Sequence, residues 1–214
     1  MAVRMARNGG RRTTSRVLAG TSTQYLSGPV PHVLRQSVVV LVCGPRGVGK
    51  SSVVRHMMQG ATMVLRGEGL QAAASRAVRQ KKWPADVLNA ERLVIDGPSF
   101  LRRRPGVRRL LDWLLKQRVA AGHRTVVIEG TDDSAMLLVA AVPASTRVTL
   151  NLRYPKAPGR RRFILRECVA IGLEPEAAKD LSVDEPWTYL KVKRALRRQF
   201  RDRPSAEPPE SPSR

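Results

Sequence analysis

Residues 44–51 read Gly-Pro-Arg-Gly-Val-Gly-Lys-Ser. They stand between a short apolar, β-branched run at 37–43 (SVVVLVC) and a segment of helical character from Ser52 onward (SVVRHMMQ). This spacing constrains the chain more than any other feature. Glycines at 44, 47 and 49 free the backbone to turn its N–H groups inward around an anion. The helix that follows presents its positive dipole end to the same point. Lys50 is placed to bridge outer phosphates, and the Ser51 hydroxyl is a hard oxygen ligand suited to Mg²⁺. The stretch Gly44, Pro45, Arg46, Gly47, Val48, Gly49, Lys50, Ser51 and Ser52 is therefore read as a triphosphate cradle. A chance glycine-rich turn is the alternative, and it leaves the flanking strand and helix without a reason.

A metal–triphosphate site also needs an acidic residue at the tip of a nearby parallel strand. Residues 92–96 (RLVID) supply one: an apolar strand ending in Asp96, followed by Gly97-Pro98. Asp96 is the expected metal partner of Ser51, the alternative being an Asp that caps the next loop. Hydrolysis requires one more group, to orient the attacking water. The residue after Asp96 is glycine, so the usual base is missing there. Glu129 ends the next strand (125–129, TVVIE), which in the common strand order lies between the phosphate-loop strand and the Asp96 strand. Glu129 is the candidate that polarises the water. A structural Glu bonded to a backbone N–H, or no hydrolysis at all, are the competing readings.

Short apolar runs alternate with helical segments from residue 36 to 154. Strands are expected at 37–43, 61–65, 92–96, 125–129 and 147–152, with helices at 70–81, 107–121 and 133–141. This alternation implies parallel β-α-β units with helices on both sheet faces. The fold class is α/β: a three-layer P-loop NTPase core with a mainly parallel five-stranded sheet and a short C-terminal helical lid. Residues 1–35 hold no acidic residue and many Arg, Ser, Thr and Gly, the composition of a disordered basic arm. A mitochondrial transit peptide shares that composition. Residues 36–154 form the core and 155–203 the lid, with helices at 160–171 and 186–200. The Pro/Ser-rich 204–214 reads as a disordered tail.

The formal charge of +22 favours polyanionic partners, nucleic acid first. Arginines are clustered at 102–104 with 108 and 109, at 160–162 with 166, and through 191–203. Compositional drift and solvated helix faces are the alternatives. No stretch has the length of a membrane span. Cys43 and Cys168 lack metal-ligand spacing and read as buried thiols of a cytoplasmic protein.

From Leu93 to Leu173 the chain resembles the ATPase core of bacterial replication-initiator proteins of the DnaA type, within the AAA+ class. LVIDGPSFL, a long amphipathic helix and AAGHRTVVIEGTDDS resemble that family's Walker B strand, helix and sensor-1 strand. RVTLNLRYPKAPGRRRFILRECVAIGL resembles its fifth strand leading into the first lid helix. The resemblance implies ATP between core and lid, and places the sensor-2 position in YLKVKRALRR, at Lys191 or Arg194; Thr131 falls at sensor 1. The sequence departs from the family at Gly97, where the second Walker B acid is replaced. It also departs before the fifth strand, where the arginine finger should lie and Arg147 is the only nearby arginine.

Three functions compete. One is a DNA-associated, AAA+-like ATPase with Mg²⁺ as cofactor and oligomeric partners. Another is a small-molecule kinase using the same loop, and the third is a nucleotide-gated binding module without hydrolysis. A GTPase is disfavoured by the lack of an N/T-K-x-D sequence.

Overall fold

A computed structural model of the protein describes residues 16–27, 29–58, 60–98, 105–130, 139–174, 181 and 188–201. The chain divides into two compact units, Met1–Tyr154 and Pro155–Arg214.

The first unit is built on one six-stranded sheet. Its strands are β1 (Arg16–Thr21), β2 (Val39–Cys43), β3 (Met63–Arg66), β4 (Arg92–Asp96), β5 (Arg124–Glu129) and β6 (Arg147–Arg153). The order across the sheet is β1-β6-β2-β5-β4-β3, and every neighbouring pair is parallel. The five-stranded expectation is thereby corrected to six. The extra strand β1 pairs with β6 from Arg16↔Val148 to Thr21↔Arg153, within the segment whose composition suggests a disordered arm. That segment is also helical at α1 (Ser22–Ser27) and α2 (His32–Gln36). The physical reason is visible in Leu18, Tyr25 and Leu34, which are buried in the core and outweigh the polar background. Residues 1–15 of the arm and 202–214 of the tail lie outside the described residues.

The central strands are buried on both sides, which is why they read as continuous apolar runs. Alternation sorts their side chains. Val40, Val42, Val94, Val126, Ile128, Val148 and Leu150 face α3 (Lys50–Met57), which contributes Val53, Val54 and Met57. Leu93 and Ile95 face the opposite layer, made by α4 (Gly67–Gln80), α5 (Ala85–Asn89) and α6 (Pro105–Ala120). Of the helix expected at 133–141, only 139–141 are described, and they form a bend and turn; Arg102–Arg104 are also outside the described residues.

The second unit holds α7 (Ala157–Ala170) and α8 (Tyr189–Arg201). Phe163 and Tyr189 meet edge to face with centroids 4.4 Å apart. Tyr189, Val192 and Leu196 are buried at helical spacing, and Lys193, Arg194, Arg197 and Arg198 are exposed. Glu167 of α7 binds Lys193 at 3.0 Å.

Candidate functional site

All strands being parallel, their C-terminal tips share one edge, where ligands of open α/β sheets bind. That edge carries Cys43 on β2, Glu129 on β5, Asp96 on β4 and Arg66 on β3. The register aligns Cys43 with Glu129 and Asp96 with Arg66.

Between β2 and α3 the chain makes the glycine-rich turn. Gly44, Gly47 and Gly49 have φ of 148°, 80° and 90°, a region that residues with a Cβ rarely adopt. Gly44 has a second reason to be glycine: a Cβ there would meet the Leu152 carbonyl oxygen at 2.4 Å. Its N–H donates to the Gly130 carbonyl at 3.2 Å, tying the start of the loop to the end of β5. Val48 is fully buried and anchors the turn in the core, while the Tyr154 hydroxyl donates to the Arg46 carbonyl. Gly49 precedes the first turn of α3, which is made by Lys50, Ser51 and Ser52. The first N–H groups of that turn lack intrahelical acceptors, an arrangement that suits an anion.

The Lys50 ammonium donates to the Gly44 carbonyl at 2.6 Å and the Pro45 carbonyl at 3.0 Å. It is folded back across its own loop. Burial lowers the Lys50 pKa from its ordinary value, opposed first by the Asp96 carboxylate and also by that of Glu129. Burial raises the Asp96 pKa; Lys50 and then Arg66 oppose that rise, and Glu129 adds to it. Lys50, Asp96, Glu129 and Arg66 thus form one electrostatic unit, although they are spread over 80 residues of sequence.

Ser51 and Asp96 line a single cleft of about 500 Å³, together with Arg55, Arg66, Val94 and Ile128. A hydroxyl and a carboxylate lining one cleft are hard oxygen donors of the kind Mg²⁺ takes. No cluster of three or more His, Cys, Asp or Glu that could hold a metal ion exists among the described residues.

Glu129 is buried, and its carboxylate is divided in function. Oε1 accepts the Gly130 N–H at 2.7 Å, while Oε2 is buried with no hydrogen-bond partner. The Gly97 N–H donates to the Ile128 carbonyl at 2.9 Å, which sets Gly97 level with Glu129 on the neighbouring strand. A carboxylate therefore stands level with Gly97, one strand nearer the phosphate loop.

Other sequence candidates fall elsewhere. Arg194 and Lys191 belong to α8 in the second unit, Arg194 on its exposed face. Thr131 lies outside the described residues. Arg147 is half-buried at the N-terminal end of β6 and donates to the Val139 carbonyl at 2.6 Å. Arg66 escaped sequence reasoning altogether. It follows MVL as one more basic residue in a basic chain, and only the pairing of β3 with β4 sets it beside Asp96.

This sheet order and edge make an α/β fold of the P-loop NTPase type. No protein-family model matches the sequence, and no curated protein sequence matches it significantly. The likeness is structural. Domain III of the Thermotoga maritima replication initiation protein DnaA superposes with a TM-score of 0.57 at 14% identity, over 82% of this chain and 78% of that one. AMPPCP-bound DnaA from Aquifex aeolicus gives 0.59 at 10% identity, over 83% of this chain and 68% of that one. The replication initiator DnaA bound to AMPPCP and single-stranded DNA gives 0.58 at 9% identity, over 83% of this chain and 63% of that one.

Proposed function

We propose that this chain is an ATP-binding P-loop NTPase of AAA+ type that binds Mg²⁺ with the nucleotide, hydrolyses it slowly and works on DNA. The observation that carries the reading is that Ser51 and Asp96 line one cleft and that the Asp96 charge acts on Lys50, at the edge where the helix α3 begins. In this reading the amides of residues 47–51 hold the β- and γ-phosphates. Lys50 leaves the Gly44 and Pro45 carbonyls and turns onto the outer phosphates. The Ser51 hydroxyl and Asp96 carboxylate would hold Mg²⁺, which neutralises phosphate charge when bound. The buried, unpartnered Oε2 of Glu129 accepts a hydrogen bond from the attacking water and orients it. ATP is favoured because two of the similar structures are described as bound to AMPPCP, and DNA because one carries single-stranded DNA. The basic faces of α6 (Arg108, Arg109) and α8 (Lys193, Arg194, Arg197, Arg198) suit phosphodiester contacts.

Calorimetric titration of the full chain with ATP and GTP, with and without Mg²⁺, tests the reading, followed by phosphate release with and without DNA. Mg²⁺-dependent ATP binding supports it; no heat with either nucleotide overturns it.

A second reading, a nucleotide-gated module without turnover, draws on Gly97. Tight ATP binding with no phosphate release under any DNA condition decides for it.

A further inference from the structure

We propose that Arg66 contacts the terminal phosphate of the bound nucleotide; this rests on the nucleotide reading above. Arg66 is the last residue of β3 and is aligned with Asp96 across the β3–β4 pair. Aligned residues of neighbouring strands share a face and stand about 4.8 Å apart. Val64 and Arg66 from β3, and Val94 and Asp96 from β4, all line the cleft that Ser51 borders. The guanidinium therefore projects on the Asp96 and Ser51 side of the sheet.

The strand order makes this position distinctive. From the phosphate loop outward the tips run β2, β5, β4, β3, so Lys50 and Arg66 flank the Asp96 position from opposite sides. A phosphate beside Asp96 would lie between two cations. The Arg66 backbone is extended (φ −146°, ψ 155°), and α4 begins at the next residue, which fixes where the side chain starts. Among the described residues the Arg66 side chain makes no hydrogen bond or ion pair with protein, although its charge is felt at Asp96. Arginine suits the task, since its fork of donors matches a phosphate in two bonds. The other arginine to consider, Arg147, donates to the Val139 carbonyl at the far end of the sheet.

The test compares ATP and ADP affinities by calorimetry at fixed Mg²⁺ for wild type, Arg66→Ala, Arg66→Lys, Arg79→Ala and Lys50→Ala. Arg66→Ala should weaken ATP about tenfold or more and leave ADP within about twofold, as expected for one charge-assisted contact. Arg66→Lys should recover part of the loss. Arg79→Ala, an exposed cation in the last turn of α4 away from the cleft, should change neither affinity, and Lys50→Ala should lose both nucleotides. Should Arg66→Ala not fold, Arg66→Gln carries the same comparison. Wild-type turnover per chain should also be independent of protein concentration. A wild type that binds neither nucleotide overturns the nucleotide reading itself. A wild type that binds both, with an ATP-to-ADP ratio unmoved by Arg66→Ala, or turnover that appears only on self-association, overturns the role of Arg66 alone.

Discussion

Glu129 and Gly97 sit level with each other at the tips of neighbouring strands, joined by the hydrogen bond from the Gly97 N–H to the Ile128 carbonyl at 2.9 Å. The glycine stands where the resemblance to DnaA-type cores expects an acid, and the acid stands one strand closer to Lys50. Glu129→Gln should therefore lower phosphate release about 10²-fold or more while ATP affinity stays within about threefold. Single-turnover phosphate release against calorimetric affinity checks this. An unchanged rate removes Glu129 from the reaction and leaves it as a partner of the Gly130 N–H.

Lys50→Ala should abolish measurable ATP binding without unfolding the chain. The Lys50 bonds to the Gly44 and Pro45 carbonyls are local to the loop, and the core beneath it is built from Val40, Val42, Val48 and Val53. Far-ultraviolet circular dichroism should be unchanged beside a flat calorimetric trace.

Gly44→Ala should be more damaging to the fold than Lys50→Ala. The position combines a φ of 148° with a Leu152 carbonyl oxygen only 2.4 Å from where the alanine methyl would stand. A cost of about 3 kcal/mol or more is expected. Urea denaturation measures it, and a shift below about 1 kcal/mol would show that the loop relaxes freely.

Arg118 is the structural arginine of the first unit. It is 1% exposed, and it donates to the Val87, Leu88 and Arg124 carbonyls at 2.9 Å and to the Thr125 hydroxyl at 2.8 Å. Burial lowers its pKa to about 10, so its guanidinium stays charged at neutral pH. Arg118→Leu should cost about 3 kcal/mol by stranding those acceptors, with ATP affinity of the folded fraction unchanged. Urea denaturation beside calorimetry separates the two effects. Arg118→Lys should recover little, because an ammonium cannot span four acceptors in a plane.

Replacing Lys193, Arg194, Arg197 and Arg198 together by alanine should weaken DNA binding and flatten its dependence on salt. Every phosphate that is no longer neutralised reduces the slope of log affinity against log salt by about one. These four side chains lie on the exposed face of α8, opposite Val192 and Leu196, so the helix should survive. Fluorescence anisotropy with single-stranded DNA across a salt series reads the outcome; an unaltered slope assigns DNA binding to another surface.

Much of this molecule is legible locally. The runs around Val40, Val94 and Val127 are β-branched and unbroken because both their faces are buried, and such strands announce themselves without reference to the rest of the chain. The glycines at 44, 47 and 49 and the Lys50-Ser51 pair are similarly self-contained, since a tight turn before a helix needs its special residues within a few positions. β1 is different. Its burial of Leu18 depends on an edge offered by β6 more than 120 residues later, and the surrounding Arg and Ser hide it.

The chain's order of residues was enough to define the strand–loop–helix cradle, the acid at position 96 and the alternating layers, because each depends on neighbours close in sequence. Which acids and cations meet was left to tertiary structure. The side-by-side placement of Gly97 with Glu129, and of Asp96 with Arg66, comes from the parallel register of strands joined by long crossovers. That register is set by packing helices on both faces, a property no short segment carries.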